Sequence, residues 1–300
     1  MENLRFNLEE EKKVKQKDGT KREATKEDIA AFCKKLAGLG DIYVNDAFGT
    51  MHRAHSSITG IELPIRAGGL LVKKELLAFG PLLAPNAPKI DVAILGGAKV
   101  HDKIQLIENL IPRVKSILIG GGMAFTFLKQ VKGIDIGKSL FDAEGGKHIE
   151  AITKKASEHD VKIFYPVDYV VASKFDASAE FKTAEGDIPA DWMALDIGPK
   201  SIDLFNQVIS SAETSILWNG PMGVFEFDNF SAGTKRLVQS VMGVTEKKAV
   251  KSIVGGGDTA AAVAKFGSVQ RFTHVSTGGG ASLELLEGKE LPGITFLSNC

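Results

Sequence analysis

The order of apolar and polar positions divides the chain into short apolar runs and longer mixed stretches. Short runs bounded by turn residues predict strands, and they lie at 90–95, 116–119, 162–165, 215–218, 252–254 and 273–275. Stretches with helical spacing predict helices, and they lie at 102–110, from the glycines at 120–122 to about 130, and at 146–159, 231–242, 258–265 and 281–287. Because strands alternate with helices, the sequence favours an α/β fold with a parallel, doubly wound sheet.

The first 40 residues follow a different pattern. The charge-dense stretch 9–26 contains an Asp-Gly turn signal and predicts a solvated loop. Thr25, followed three residues later by Asp28, is similar to a capping box. This pair predicts a helix that begins there and runs to about residue 39.

The next segment links the two regions of the chain. Residues 41–44 predict a strand. In 67–83, leucines alternate with charged residues at helical spacing, which predicts one helix. Pro81, Pro85 and Pro88 mark the end of that helix and a linker after it.

Length, charge and cysteine content exclude several classes of protein. Three hundred residues, 44% of them hydrophobic, suffice for one large or two ordinary domains with a sizeable core. Basic and acidic residues both number 37, and this balance argues against a nucleic-acid binder. The two cysteines, Cys33 and Cys300, fit a reducing compartment. With no long apolar run and no signal-peptide pattern, we expect a cytoplasmic protein without a membrane partner.

Glycine clusters stand where predicted strands pass into helices, at 96–97, 120–122, 255–257 and 278–280. A glycine-rich turn lets the backbone approach a phosphate and directs helix N-terminal N–H groups toward it. In a parallel sheet such turns follow the carboxyl ends of strands, where ligands bind. The repetition of this turn predicts a site for a polyphosphate.

The segment 255–259 carries the sharpest chemical signal. Asp258 has two interpretations, because a carboxylate at a helix start either caps the helix or binds Mg²⁺ together with phosphate oxygens. In the second interpretation Thr259 donates to a phosphate. The segment also matches a degenerate dinucleotide fingerprint, but that motif requires an acidic residue after the next strand, where Ser276 and Thr277 stand. No P-loop motif occurs in the sequence.

Basic residues near these turns are candidates for neutralising a phosphate. Lys99 and Lys103 follow the first cluster at i and i+4, so on a helix they would share one face. Arg5 and Arg53 lie in polar stretches near the start of the chain. For each of these four residues the alternative is an ordinary solvated surface position.

The loop 218–226 follows a predicted strand and is shaped by glycine and proline. One interpretation is a tight turn that buries an aromatic residue. The other is a nucleoside clamp with apolar walls, in which Glu226 accepts hydrogen bonds from ribose hydroxyls. Taken alone, Leu140, Phe175 and Leu195 are ordinary core positions.

Eight segments cover essentially the whole chain in order: ENLRF (2–6), YVNDAFGTMHRAHSS (43–57), LGGAKVHDKI (95–104), GGGMAFTF (120–127), SLFD (139–142), WNGPMGVFE (218–226), GGGDTAA (255–261) and STGGGASLELLEGK (276–289). As a set they closely resemble phosphoglycerate kinases. That family transfers a phosphoryl group between 1,3-bisphosphoglycerate and ADP, giving ATP and 3-phosphoglycerate. The resemblance implies these small molecules as substrates, Mg²⁺ as the cofactor and a monomer as the working form.

The resemblance also implies roles for the candidate residues of the nucleotide site. Lys99 and Lys103 would contact the nucleotide phosphates and the transferring group, and Asp258 would bind Mg²⁺ with Thr259 beside it. The glycines at 278–280 would begin a helix directed toward the transferred phosphoryl group, which makes Gly279 a catalytic candidate. The other residues implied for the nucleotide cleft are Gly97, Gly120, Gly121, Leu140, Phe175, Leu195, Asn219, Pro221, Glu226, Gly256 and Gly257. For the glycerate ligand, the resemblance implies a basic patch that includes Arg5, also a catalytic candidate, and Arg53.

For the fold, the resemblance implies a Rossmann-like, doubly wound C-terminal domain with a truncated N-terminal α/β remnant. The expected parts are a substrate-domain remnant at 1–66, an interdomain helix at 67–84, a nucleotide-binding domain at 85–285, and a tail at 286–300 that returns toward the N-terminal domain. The interdomain helix would permit a closure that excludes water.

The sequence departs from the family at its N-terminus. Family members begin with a strand, a VDFNVP-like loop, a further arginine and an SHLGRP-like motif, which are absent here together with most glycerate-binding side chains. His101 stands where the family usually has a small residue. We therefore expect residues 1–66 to fold loosely and the chain to bind nucleotide with little or no turnover. The alternatives are a catalytically impaired nucleotide-binding fragment and, from another class, a dinucleotide-dependent oxidoreductase.

Overall fold

The computed structural model describes residues 2–15 and 18–298, so Cys300 lies outside the described residues. The strands are β1 Lys13–Lys15, β2 Lys21–Glu23, β3 Ile42–Asn45, β4 Ile65–Gly68, β5 Ile90–Leu95, β6 Val114–Ile119, β7 Lys162–Phe164, β8 Asp168–Ala172, β9 Phe181–Glu185, β10 Met193–Ile197, β11 Ser215–Asn219, β12 Lys251–Gly255 and β13 His274–Val275. The α-helices are α1 Leu8–Glu11, α2 Lys26–Ala37, α3 Ser56–Thr59, α4 Leu70–Leu83, α5 Ile104–Leu110, α6 Met123–Lys132, α7 Ala143–Gly146, α8 Ile149–Glu158, α9 Pro199–Ser210, α10 Ala232–Lys248, α11 Gly257–Phe266, α12 Gly280–Leu286 and α13 Pro292–Thr295. Short 3₁₀ helices lie at Leu4–Phe6, Phe48–Thr50, His101–Lys103, Ile111–Arg113, Asp228–Phe230 and Val269–Arg271. No helix within the described residues is both long and apolar enough to cross a membrane.

These elements form two compact units, which we describe separately. The central unit is Ala78–Gly279. The terminal unit contains the described residues up to Leu77 together with those from Gly280 onward. The boundary between the two units falls inside α4.

A parallel sheet organises the central unit. Among the described residues it has six strands in the order β13-β12-β11-β5-β6-β7, and every neighbouring pair is parallel. On one side of β5 the chain adds β6 and then β7. On the other side lies β11, and from there the chain later adds β12 and then β13 in the opposite direction. The order of the strands therefore reverses between β5 and β11. In open α/β sheets ligands bind beyond the carboxyl ends of the strands at such a reversal.

Helices cover both faces of this sheet. Every residue of β5 is buried, as expected for a parallel strand whose sequence is apolar except for Asp91. On one face, Val92 and Ile94 of β5 pack in a core that includes Trp218 of β11, Phe205 of α9 and Val241 of α10. The intervening residues of β5 point to the opposite face and are also fully buried. The prediction of a doubly wound α/β sheet is confirmed.

A second sheet in the central unit was not anticipated from the sequence. Strands β10, β8 and β9 pair antiparallel in that order, and α9 follows β10 directly. The register of β10 against β8 shifts between Ala194 and Asp196, which marks a bulge at Leu195. Bulges redirect side chains and often lie beside functional sites.

The terminal unit contains a two-stranded parallel sheet of β3 and β4. One face of this sheet is covered, because the Phe296 ring packs edge-on against Tyr43 and lies 4.8 Å from the Arg66 guanidinium carbon. The edge of β4 is also covered, since the Ser298 N–H donates to the Arg66 carbonyl at 2.8 Å. The other face is bare, and Ile42 and Val44 are 57% and 58% exposed.

One prediction for the N-terminal region was wrong, and a predicted helix is present with a later start. Residues 9–26 are not a loop, because β1 and β2 pair antiparallel and α1 ends at Glu11. The predicted helix at 67–83 begins only at Leu70, since residues 67 and 68 pair with β3 as part of β4. Pro81 lies inside that helix rather than at its end.

Most other predicted elements are present with small shifts at their ends. The Thr25 hydroxyl accepts from the Asp28 N–H at 3.1 Å, which caps α2 as predicted. The helix predicted at 102–110 is divided into a 3₁₀ turn and α5. Helix α10 continues to Lys248, past the predicted end at 242.

We predict that limited trypsin digestion cuts residues 2–66 well before the central unit. A two-stranded sheet with one bare apolar face is marginally stable in water, whereas the central sheet is buried on both faces. Mass spectrometry of early fragments should show a resistant product that begins near residue 85. The urea-unfolded chain, which should be cut evenly, is the control. Equal resistance of both regions in the folded chain would show that residues 2–66 are firmly packed.

Candidate functional site

A cleft opens at the carboxyl ends of β5 and β11, where the strand order reverses. Its volume is about 500 Å³, within the range typical of small-molecule sites. The residues that line it are Gly97, Ala98, Gly121, Gly122, Phe125, Lys138, Leu140, Phe175, Met193, Ala194, Leu195, Pro221, Met222, Gly223, Val224, Glu226 and Asp258. Two of the four glycine clusters, 96–97 and 120–122, supply glycines to this lining. A third, 255–257, is followed directly by the lining residue Asp258.

Close backbone contacts between the strand-end loops form the floor of the cleft. The Gly96 N–H donates to the Asn219 carbonyl at 3.0 Å, and the Gly121 N–H donates to the Met222 carbonyl at 3.0 Å. Gly121 has φ +65°, and a Cβ there would lie 2.6 Å from the Gly97 nitrogen. Only glycine fits this position, so the second cluster is required for packing of the loops. At Gly120, a Cβ would collide with the Met222 sulfur at 2.3 Å.

Lys103, Asn219 and Thr259 form a polar group beneath the loops. The Lys103 Nζ donates to Asn219 Oδ1, and Asn219 is 1% exposed. Asn219 Nδ2 is one of the buried side-chain atoms with no hydrogen-bond partner among the described residues. The Thr259 hydroxyl accepts from the Gly220 N–H at 2.7 Å and is itself buried. Thr259 therefore fixes the turn after β11, a role that the sequence did not indicate.

Helix α11 begins at the same edge of the sheet. Its N-cap is Gly256, with φ +88°, and no side chain caps the helix. Asp258 is the second helical residue and is exposed. Its carboxylate has no hydrogen bond or ion pair with any described residue, so the capping interpretation has no contact to support it. Space beside Gly257 is open, since a Cβ there would meet no atom within 4 Å.

Apolar side chains form the opposite wall of the cleft. Leu140 and Phe175 are 43% and 62% exposed, so they are not the core positions that their residue types indicate. The Phe175 ring centroid lies 5.4 Å from that of Phe227. Leu195, at the bulge in β10, is 8% exposed and borders the cleft. Glu226 is exposed at the end of this wall.

Lys99 and Lys103 do not share a helical face. Lys99 precedes the 3₁₀ turn His101–Lys103, and Lys103 is the residue before α5. Lys99 is exposed, whereas Lys103 is partly buried and points to Asn219. The i, i+4 argument was therefore wrong, although both lysines lie in the segment that follows Gly97.

Asp142 holds that segment in place and was not singled out from the sequence. Its carboxylate accepts from the His101 N–H at 2.7 Å and from the Gly145 N–H at 3.0 Å. Burial acts to raise the pKa of Asp142, but these two backbone donors outweigh it and lower the pKa. Asp142 stands directly before α7 and accepts from the N–H three residues later, and an aspartate in this position is an N-cap signal that a closer inspection of the sequence detects.

Gly279 and the two arginine candidates are not among the cleft-lining residues. Gly279 has φ +52° and follows β13 at the carboxyl edge of the sheet. In the terminal unit, burial lowers the pKa of His55, and the positive charges of Arg5 and Arg53 lower it further against Glu10 and Glu11. Arg5 and Arg53 therefore belong to one mixed charged cluster of the terminal unit, in which Arg5 Nε also lies 3.6 Å from Glu11 Oε1.

Known proteins resemble this chain over its whole length. The sequence model of the phosphoglycerate kinase family matches residues 1–289. A phosphoglycerate kinase of Funneliformis mosseae is 54% identical over the complete chain, which covers 72% of that relative. Phosphoglycerate kinase 2 of Mus musculus is 53% identical, again with 72% of the relative covered.

Solved structures give the same result. The structure of phosphoglycerate kinase from Coxiella burnetii aligns with a TM-score of 0.81 and 41% identity over 90% of this chain and 68% of that chain. The enzyme from Pyrococcus horikoshii OT3 aligns with a TM-score of 0.77 and 31% identity over 98% of this chain and 71% of that one. With the sheet order and the glycine-lined cleft already in place, these matches show that the chain belongs to the phosphoglycerate kinase family.

Proposed function

We propose that the cleft binds a magnesium adenine nucleotide, and that the chain uses it for reversible phosphoryl transfer from 1,3-bisphosphoglycerate to ADP. The observation that carries this proposal is that Asp258 and Glu226 line one cleft at the strand reversal, while the Lys103–Asn219 pair lies beside two of its glycine turns. A Cβ at Gly97 would lie 3.8 Å from Lys103 Cε, and a Cβ at Gly256 would lie 3.1 Å from Asn219 Nδ2. Membership of the phosphoglycerate kinase family supports the proposed phosphoryl transfer. The residues that line the cleft support the proposed binding of a nucleotide.

The two ends of the cleft suit the two ends of a nucleotide. Leu140, Phe175 and Leu195 offer an apolar wall for the base, and Glu226 at its end accepts hydrogen bonds from ribose hydroxyls. The polar end carries Lys103, the unpartnered Nδ2 of Asn219 and the start of α11. A buried donor without a partner is costly, so a phosphate oxygen at Asn219 would satisfy it.

The residues at this end also fit Mg²⁺. Asp258 offers one exposed, unpaired carboxylate, and the described residues contain no group of three or more His, Cys, Asp or Glu placed to hold a metal. Mg²⁺ in nucleotide sites takes one or two carboxylates and otherwise phosphate oxygens and water. When bound, the ion would supply neutralisation of phosphate charge.

The chemistry requires positioning rather than a general base. The attacking group is a carboxylate of the glycerate or a phosphate of ADP, and both are anionic at neutral pH. The protein therefore has to hold two anions in line and neutralise the charge that spreads over the transferring group. Lys99, Lys103 and the N–H groups near Gly97, Gly256 and Gly279 are the proposed donors.

The glycerate ligand is proposed to bind the two arginines in the mixed charged cluster of the terminal unit. Arg5 and Arg53 are both exposed and act on the same histidine, and Arg5 is also paired with Glu11 at 3.6 Å. Guanidinium groups suit carboxylate and phosphate oxygens. In this proposal the terminal unit serves the glycerate and the central unit serves the nucleotide. That the chain is a cytoplasmic monomer stays a prediction.

Calorimetry with MgADP tests the nucleotide site directly. We expect MgADP to bind with a dissociation constant in the micromolar range, roughly −8 kcal/mol, and NAD not to bind. Binding of NAD at equal affinity would favour the oxidoreductase alternative instead. A steady-state assay with 3-phosphoglycerate and MgATP then measures turnover, which we expect to be low because the chain spans 72% of its relatives' length. Ordinary kinase rates would refute that expectation while supporting the reaction.

A further inference from the structure

A buried carboxylate lies beneath the loop that forms one side of the cleft. Asp196, on β10 directly after the bulge, is 2% exposed. Asp196 accepts at Oδ2 from the Gly233 N–H at 2.8 Å and at Oδ1 from the Ile197 N–H at 2.9 Å. Gly233 is the second residue of α10, whose N-cap residue makes no side-chain capping hydrogen bond. Asp196 therefore serves as the N-terminal acceptor of α10 from a neighbouring strand.

The same carboxylate supports the cleft loop by direct packing. A Cβ at Gly223 would lie 2.3 Å from Asp196 Oδ1, and a Cβ at Gly233 would lie 2.4 Å from it. The backbones of the loop and of α10 thus both rest against one oxygen. Two further bonds tie the loop to the same elements, because the Met222 N–H donates to Thr234 Oγ1 at 3.0 Å and the Val224 N–H donates to the Leu195 carbonyl at 2.8 Å.

The supported residues are residues of the cleft itself. Leu195, Gly223, Val224 and Glu226 all line it, whereas Asp196 does not. A small displacement of the loop against β10 would move the apolar wall relative to Glu226. Errors of about 1 Å in the position of a binding group reduce function strongly.

We propose that Asp196 is a positioning residue for nucleotide binding: its ionised carboxylate holds the loop 220–226 against α10 and β10, and thereby sets the wall of the cleft. This proposal rests on the proposed function, since the ligand it concerns is the nucleotide. It assigns Asp196 no contact with that ligand.

The surroundings of Asp196 make its charge adjustable near neutral pH. Burial raises the pKa of Asp196 to about 7, and the N–H groups of Gly233 and Ile197 lower it only in part. Among the described residues no charged side chain of β8, α10 or the loop contributes to this shift. Protonation converts one acceptor oxygen of Asp196 into a donor. The hydrogen bonds that Asp196 accepts from the Gly233 and Ile197 N–H groups therefore weaken as the pH falls below 7.

The test compares Asp196→Asn with a matched control, Asp168→Asn. Asp168 is 1% exposed on β8 and accepts from the Lys200 and Ser201 N–H groups at the start of α9, so it plays the same structural part away from the cleft. Calorimetry gives the dissociation constant of MgADP for each full-length variant at pH 6 and pH 8. Thermal midpoints at both pH values record the structural effect separately.

We expect Asp196→Asn to weaken MgADP binding about 10-fold at pH 8 and less than about 2-fold at pH 6, where wild-type Asp196 is mostly protonated. Asp168→Asn should lower the thermal midpoint yet keep the dissociation constant of wild type at both pH values. The proposal would be overturned if the MgADP dissociation constant of Asp196→Asn, divided by that of wild type, were near one at pH 8. It would also be overturned if this ratio did not change with pH. Failure of wild type to bind MgADP would instead overturn the proposed function.

A second variant covers the case in which Asp196→Asn does not fold. Gly223→Ala leaves the carboxylate in place but inserts a methyl group 2.3 Å from its Oδ1. We expect this change to displace the loop and to weaken MgADP binding about 10-fold. A folded Gly223→Ala chain that binds as wild type would show that the loop does not depend on its contact with Asp196.

Discussion

Replacing Asp258 with asparagine should weaken binding of MgADP about 100-fold, which corresponds to roughly 2.7 kcal/mol. The carboxylate is exposed, unpaired within the described residues and placed in the cleft beside the start of α11. In the proposed site it is the one protein carboxylate that binds the metal, so asparagine removes the charge that holds Mg²⁺. Binding of metal-free ADP should not weaken, because the lost negative charge only repelled the phosphates.

The measurement is calorimetry of each variant with ADP in the presence of Mg²⁺ and in the presence of EDTA. Glu150→Gln is the matched control, because Glu150 occupies the same second position of α8 and is also exposed. Both substitutions remove a favourable helix-dipole interaction of about 0.3–1 kcal/mol. If Asp258 were only a dipole partner of its helix, both variants would lose a little stability and neither would lose MgADP affinity.

Much of the central unit can be predicted from the sequence because its strands are buried on both faces. Both faces of β5 are buried and every residue of it except Asp91 is apolar, and its ends coincide with the prediction. The glycine clusters can be located for a related reason. At several of these positions, such as Gly121, a side chain would collide with neighbouring atoms, so the position requires glycine and can be recognised in the sequence.

The antiparallel sheet could not be predicted in the same way. Only one residue of β9 is even partly buried, so this strand has no continuous apolar run to mark it. The part played by Asp196 depends on a bulge in β10 and on two glycines, Gly223 and Gly233, that are distant in sequence. Local patterns contain no record of such contacts.

The sequence indicates the candidate residues of the site unevenly, for the same physical reason. Asp258 follows glycines at a helix start, and that local arrangement makes it a candidate for binding Mg²⁺. The bond between Lys103 and Asn219 joins residues that are 116 positions apart, so no spacing rule reveals it. The helical pairing of Lys99 with Lys103 failed because Asp142 draws the His101 backbone into a separate turn.

A second large effect, on the free energy of unfolding, is expected on substitution of Asp91, which is not a residue of the cleft. Asp91 lies at the start of β5 and is 6% exposed. Its Oδ2 accepts from the backbone N–H groups of Glu213, Thr214 and Ser215 at 2.8, 2.5 and 3.2 Å. Oδ1 accepts from the Lys115 Nζ at 2.7 Å. The carboxylate therefore joins β5 to β11 and β6, its two neighbours in the sheet.

Asp91→Ala should lower the free energy of unfolding by about 3–5 kcal/mol. Most of this loss comes from the backbone N–H groups left without an acceptor. Lys115 is 57% exposed, so its ion pair adds less than about 1 kcal/mol. Urea unfolding at pH 7 measures the change, and Asp203→Ala, which removes an exposed aspartate of α9, is the control expected to stay within about 0.5 kcal/mol of wild type.

The pH dependence of this loss distinguishes a lost acceptor from a simple change in packing. Burial acts to raise the pKa of Asp91, but Lys115 and the N–H groups of Thr214 and Glu213 outweigh it and hold the pKa far below its usual range. A carboxylate with a lowered pKa stabilises the fold above its unfolded value of about 3.9, and this contribution disappears as the pH falls through the folded value. The gap between wild type and Asp91→Ala should therefore be constant from pH 8 to 5 and should narrow below about pH 4. A gap that stays constant down to pH 2.5, where both chains remain folded, would mean that the packing of the Asp91 carboxyl group, and not its charge, stabilises this edge of the sheet.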